Sequence, residues 1–349
     1  MLCMIETLRK LCNSHGISGY ENEIRNIIRE EIENYVDEIR IDAMGNIIAI
    51  KKGSDEYPSV MLAAHMDEIG LMVKRIDENG FIKFLKFGGW LDATLLGSRV
   101  VLHGENGKIY GVIGYKPPHL MKEEERKKPI KAEDMLIDIG AKSKEEVEKA
   151  GIRIGCPITL DVEMKELLNK RITGKALDDR VGIAMMLEAI KRTKSEATIY
   201  AVGTVQEEVG LKGARTSAFG LSPDLALICE VAIANDYLRM EEKSIEIDKG
   251  VVITVADASG RGLISSPSIL KWLEKTAIEN KIPYQLEASE GGTTDAAAIN
   301  VTRAGIPCGV ISIPTRYMHS GVELISLNDL ENGVKLLTEA LNRINELEI

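Results

Sequence analysis

Aromatic side chains make up only 4% of this 349-residue chain. Rings that sparse do not suggest the stacked cleft of a glycan-hydrolysing enzyme. Cysteine is scarce too. The five (Cys3, Cys12, Cys156, Cys229 and Cys308) are odd in number and scattered, with no Cys-x-x-Cys. That speaks against a disulfide framework and fits reduced, mostly buried thiols in a cytoplasmic protein. Long apolar runs are missing: nothing approaches the roughly 18 residues that a membrane-spanning helix needs. The opening Met1-Leu-Cys-Met-Ile-Glu6 has no basic segment ahead of an apolar core, so it does not read as a secretory signal. Positive charge is in deficit, with 44 Lys and Arg against 54 Asp and Glu and a net charge of -10. This argues against nucleic acid and against an anionic membrane surface as partners. No internal repeat or low-complexity tract is found. Gly291-Gly-Thr-Thr-Asp295 lacks the Gly-Lys-Ser/Thr ending of a phosphate loop. It reads as a close-approach loop instead.

What is present, 44% hydrophobic and 28% charged residues, suits a globular protein of one large or two ordinary domains. Ile5, Leu8 and Leu11 predict an opening helix, and a Ser18–Glu21 capping box predicts a second, running to about Val36. Strands are expected near 38–41, 46–51 and 60–64. From about Ile69 to Asp161 short strands and the hairpin turns Glu78-Asn79-Gly80 and Glu105-Asn106-Gly107 replace the helix–strand alternation. One helix, begun by Ser143 with Glu146, interrupts them, and charged Met121–Lys128 reads as an exposed, mobile loop. This predicts a small β-rich domain, 69–161, inserted into an α/β domain formed by 1–68 and 162–349. The α/β pattern then resumes and closes with an amphipathic helix from about Leu327.

The rest is organised around Ile199–Gly210, an apolar run of strand length that stops at Glu207-Glu208. Other acid pairs, such as Glu30-Glu31 and Glu241-Glu242, lie in charged, solvated contexts. Ligands of open α/β sheets bind beyond the carboxyl ends of strands, and two acids buried there need a positive partner. His65, Asp178, Glu208, Glu230 and His319 share that placement, at or just past a strand end or at a strand-to-helix junction. Each alone has a bland reading: a hydrogen-bonded histidine, an N-cap aspartate pair, a structural ion pair. Together they form a set of mixed His and carboxylate ligands, which suits Zn, Mn or Co. His15, His103 and His119 have no such context and read as surface or loop residues. A two-ion site bridged by a carboxylate needs a nearby acid outside the ligand set to move protons, and Glu207 suits that role. Asp67 can accept the other imidazole N–H of His65 and fix its tautomer.

The segments Ala64-His65-Met-Asp67-Glu68-Ile-Gly70, Lys175-Ala-Leu-Asp178-Asp179-Arg180-Val-Gly182, Val205-Gln-Glu207-Glu208-Val-Gly210, Gly291-Gly-Thr-Thr-Asp295-Ala and Arg316-Tyr-Met-His319-Ser320 together resemble the tetrahedral (TET) aminopeptidases. These are co-catalytic metallopeptidases that include deblocking and glutamyl aminopeptidases. The resemblance spans nearly the whole chain. It implies a mixed-sheet α/β/α metallopeptidase domain with an inserted, PDZ-like β-barrel. Two divalent ions per subunit are implied, Zn foremost with Co or Mn as alternatives. Asp178 would bridge them, His65 and Glu230 would sit on separate ions or flank the bridge, and Glu208 and His319 would complete the shells. Glu207 would be the general base, Asp67 would orient His65, and Asp178-Asp179 would be joined by a cis peptide. The activity implied is removal of N-terminal residues from peptides, by an enzyme whose barrels pair subunits into dimers and whose dimers form a hollow dodecamer. Two positions depart from the family: Glu230 stands where Asp is usual, and Gly321 follows Ser320 where Pro is common. Glu230 leaves an N-acyl deacylase or carboxypeptidase as the nearest alternative. A glycosidase and a non-catalytic scaffold are remoter ones.

Overall fold

The computed structural model describes residues 2–237, 245–258 and 262–348. Glu241-Glu242 therefore lies outside the described residues. The chain opens with helices α1 (Leu2–Asn13) and α2 (Asn22–Ile32), followed by strands β1 (Glu38–Ile41), β2 (Ile47–Lys51) and β3 (Val60–His65). Six strands then close a barrel: β4 (Gly70–Ile76), β5 (Ile82–Phe87), β6 (Arg99–Gly104), β7 (Gly107–Gly114), β8 (Leu136–Asp138) and β9 (Pro157–Leu160). Within this stretch lie α3 (Glu123–Arg126) and α4 (Lys144–Lys149). Beyond it come β10 (Lys165–Leu167), β11 (Arg171–Gly174), α5 (Leu177–Arg192), β12 (Ile199–Thr204), α6 (Lys212–Leu221) and β13 (Leu225–Ile233). The last elements are β14 (Val251–Asp257), α7 (Pro267–Glu279), β15 (Tyr284–Ser289), α8 (Asp295–Asn300), β16 (Cys308–Thr315), β17 (Glu323–Ser326) and α9 (Leu327–Asn342).

Eight strands form one mixed sheet in the order β1-β2-β12-β3-β13-β16-β14-β15. Its centre, β12-β3-β13-β16, is parallel. Strands buried on both faces need apolar residues at every position, and all six residues of β3 are buried. Alternate side chains serve opposite cores. Val60, Leu62 and Ala64 join α1, α2, α5, α7 and α9 on one face, and Met61 and Ala63 join α6 and α8 on the other. Helix α5 lies deep in the first core, buried continuously from Leu177 to Ile190 and therefore on every face rather than along a single stripe. A separate core fills the barrel. Each Ile on the inner stripe of α2 (Ile24, Ile28, Ile32) is fully buried. Truncating Ile28 to Ala would cost about 2–5 kcal/mol.

The barrel and the mixed sheet match the expected fold class, but two local expectations do not hold, and of two histidines expected at the surface or in loops His15 does lie in a loop while His103 lies on β6. Ser18 and Glu21 form no capping box: the Ser18 hydroxyl donates to Asp67 Oδ2 at 2.5 Å, and Glu21 accepts amides of Gly19 and Gln206. The 121–128 run is no simple loop, because one helical turn, α3, forms there with a Lys127–Glu123 pair one turn apart at 2.9 Å. His15 and His103 are half-buried where loop and barrel meet. Both contact the Thr159 hydroxyl, at 2.6 and 2.9 Å, with ring centroids 4.8 Å apart.

Candidate metal centre

Parallel strands β3, β12 and β13 deliver their carboxyl ends to one edge of the sheet. His65 is the last residue of β3, Glu207 and Glu208 follow β12 by three and four positions, and Glu230 lies on β13. Glu230 is not at the end of its strand, since β13 continues to Ile233. Asp178 enters from the start of α5 and His319 from the loop after β16. The Asp178-Asp179 peptide is cis. The five predicted ligands thus converge from distant parts of the chain.

They fall into two overlapping groups that could each hold a metal ion: His65, Asp178 and Glu230, and Asp178, Glu208 and His319. His65 Nε2 lies 3.0 Å from Asp178 Oδ1 and 3.8 Å from Glu230 Oε1. His319 Nε2 lies 3.3 Å from Asp178 Oδ2 and 3.5 Å from Glu208 Oε1. The two oxygens of Asp178 therefore face different imidazoles. This grouping sets His65 and Glu230 on the same side of Asp178 rather than on separate sides.

Asp67 is fully buried, but its carboxylate is not the hydrogen-bond partner of His65. Nδ1 lies 3.0 Å from the Asp67 carbonyl oxygen and 3.7 Å from its Oδ1, so the carbonyl is the acceptor. A proton held on Nδ1 leaves Nε2 free toward Asp178, the tautomer a metal needs. The Asp67 carboxylate instead accepts the Glu207 amide at 3.0 Å, the Glu208 amide at 3.2 Å and the Ser18 hydroxyl. It thereby holds the acidic loop by its backbone.

Electrostatics single the site out. Burial, with Asp295, Glu230 and Glu208 nearby, pushes the Glu207 carboxyl well above its ordinary range. Burial and Asp179 do the same for Glu230, and burial with Asp178 brings Glu208 to about 7. Burial opposes ionisation of Asp178, yet the His319 and His65 imidazoles hold its carboxyl well below the usual carboxylate range. His319 rises to about 9 through its hydrogen bond to Asp178. Two imidazoles cannot neutralise so many carboxylates. Buried acids in excess, in two overlapping groups that share one carboxylate, make a donor set that could hold a metal ion in each group.

Sequence reasoning gave several neighbours no role of their own in the site. Asp295, at the head of α8, accepts a hydrogen bond from Thr204 and is raised by burial to about 6. Asp179 accepts the His65 amide at 3.2 Å and the Gly182 amide at 2.9 Å. Glu323 accepts amides of Asp178 and His319. The Gly88-Gly89 loop after β5 brings the barrel onto the site. A Cβ on Gly88 would stand 2.7 Å from Glu208 Oε2, and one on Gly89 2.8 Å from His319 Nδ1. A double glycine between Phe87 and Trp90 was the available signal.

The M42 glutamyl aminopeptidase family matches residues 45–336. The chain is 37% identical to the lysyl aminopeptidase of Pyrococcus furiosus over 98% of both proteins. Among solved structures, an aminopeptidase from the archaeon Desulfurococcus kamchatkensis superposes with a TM-score of 0.93 at 42% identity, covering 99% of this chain and 98% of the other. The TET1 peptidase of Pyrococcus horikoshii, described as assembling into a tetrahedron or a large octahedral shell, gives 0.86 at 37%, over 96% and 98%.

Proposed function

We propose, for a chain that belongs to the M42 glutamyl aminopeptidase family and is a peptidase, that it removes N-terminal residues from peptides at a centre of two divalent ions sharing Asp178. The observation that carries this reading is the pair of His-carboxylate groups with Asp178 common to both. His65 and Glu230 would hold one ion, and Glu208 and His319 the other. Zn fits this donor set first, with Co or Mn as alternatives. Such ions, when bound, lower the pKa of water toward roughly 7 and polarise the scissile carbonyl.

The remaining chemistry belongs to side chains of this protein. Glu207 shares the site but belongs to neither ligand group. Its raised affinity for a proton suits a general base that takes one from water and returns it to the leaving amine. Asp67 would act on the acidic loop through the Glu207 and Glu208 amides, and on His65 through its carbonyl. The family match and the lysyl aminopeptidase relative favour removal of N-terminal residues.

The catalytic unit in this reading comprises 1–68 and 162–349, and the insert 69–161 carries the dimer contact. The likeness to a TET1 peptidase described as assembling into a tetrahedron or a large octahedral shell supports a homo-oligomer, which we propose is built of dimers, up to a dodecamer, in the cytoplasm. Glu230 sustains one alternative, an N-acyl deacylase or carboxypeptidase. Aminoacyl chromogenic substrates assayed beside N-blocked and C-terminal ones, with and without chelator and with Zn, Co or Mn added back, decide between them. The expected result is turnover of free-amine substrates alone, lost on chelation and restored by metal. Preference for blocked substrates, or full activity in metal-free protein, would contradict the proposal.

A further inference from the structure

Strand β17 lies between the two chain segments that carry Asp178 and His319. On one side it pairs with β11, with Glu323 opposite Gly174, four residues before Asp178. On the other, Leu324 pairs with Arg316, three residues before His319, through amide–carbonyl bonds of 2.9 and 3.0 Å in both directions. Both segments leave these ladders and enter irregular backbone: Asp178 is non-helical at φ -78, ψ 104, and His319 has φ 58. Past the ladders, one carboxylate is common to both segments. Glu323 Oε2 accepts the Asp178 amide at 3.1 Å and Oε1 accepts the His319 amide at 3.0 Å. Glu323 is 1% exposed and belongs to neither metal-holding group.

We infer that Glu323 is a positioning residue, a rigid clamp that sets the separation of Asp178 from His319 and thereby shapes the second ion's cradle. The inference rests on the two-ion reading of the site. One carboxylate suits the task because, when ionised, both of its oxygens accept and neither donates. A glutamine would turn an N–H₂ toward one of the two amides, so one segment would lose its fixing point. Groups that orient metal ligands from outside the coordination shell typically matter 10–100-fold in affinity.

The fold supplies a matched control. Asp329, also 1% exposed, accepts the amides of Asp248 and Gly250 at 2.6 and 2.9 Å, and it lies outside both ligand groups. The test titrates Zn and Co into chelator-treated wild type, Glu323→Gln and Asp329→Asn, by calorimetry and by the visible absorption of Co. It also records the Tm of each metal-free protein. The clamp predicts comparable losses of metal-free Tm in both variants. Only Glu323→Gln should bind the weaker ion about 10–100-fold less tightly, with an altered Co spectrum. Glu323→Asp, whose shorter carboxylate reaches one amide, should fall between and serves if Glu323→Gln does not fold. Wild-type affinity in a folded Glu323 variant, or an equal loss in Asp329→Asn, overturns the clamp alone. A wild type that takes up no ion overturns the two-ion reading and the clamp with it.

Discussion

Two groups of buried charge adjoin in this protein, and they are built on opposite rules. In the first, Glu68 receives Lys175 Nζ at 2.9 Å on each oxygen, with Arg180 Nη2 at 3.4 Å and the Gly16 amide at 3.0 Å. Lys175 also donates to the Ser14 carbonyl, and Arg180 to those of Leu11 and Gly16. Among these polar atoms only Arg180 Nε has no partner. In the second, Asp178, Glu207, Glu208 and Glu230 gather around two imidazoles, with no lysine or arginine among their hydrogen bonds or ion pairs as described. Both groups use residues from the same two segments, His65–Glu68 and Lys175–Arg180. The difference teaches how to recognise a metal centre. Buried acids alone do not mark one. Acids whose charge the protein itself leaves unbalanced make a site a candidate for one.

The comparison breaks first on catalysis. Glu207→Gln should leave metal uptake intact and lower kcat by about 10²–10⁴-fold. Normal turnover by that variant, measured beside its metal content, would remove Glu207 as base. Next comes stability, where the two groups predict opposite signs. Lys175→Met strands Glu68 as a buried, half-paired charge and should cost about 3–5 kcal/mol in denaturant unfolding. Glu230→Gln in metal-free protein should stabilise by roughly 1 kcal/mol or more near pH 7. The sign follows from linkage. A carboxyl raised in the folded state loses stability as pH climbs above its unfolded value, and an amide has no such loss. Destabilisation by both variants would erase the distinction.

The smallest effect concerns His15 and His103. Burial lowers His15 to about 4 and also lowers His103, with Lys108 and Lys175 adding to the shift and Glu23 and Glu68 opposing it. A histidine depressed on folding contributes stability above its unfolded value near 6.5, and that stability is lost as pH falls toward 4. Wild-type Tm should drop a few degrees more than that of His15→Gln between pH 7 and 5. Parallel curves would assign the acid sensitivity elsewhere.

Much of this arrangement was legible beforehand, for identifiable reasons. A buried parallel strand must be apolar throughout, so acids after β12 and a histidine closing β3 stand out from the run. What escaped notice depends on pairing between distant segments. Glu323 carries no signal of its own until β17 is seen between β11 and Arg316. Ser18 followed by Glu21 satisfies a capping pattern, but Asp67 is the stronger acceptor for that hydroxyl. His103 looked like a surface residue because barrel closure, which brings Thr159 beside it, leaves no local signature. Glu230 was read as a strand end because its charge interrupts an apolar run, although β13 continues past it.

Anomalous diffraction at the zinc edge, from crystals of the zinc-loaded protein, tests the central claim most directly. The account predicts two peaks roughly 3.5–4 Å apart, one against His65 and Glu230, the other against Glu208 and His319, with Asp178 between them. A single peak away from Asp178, or none, would contradict it.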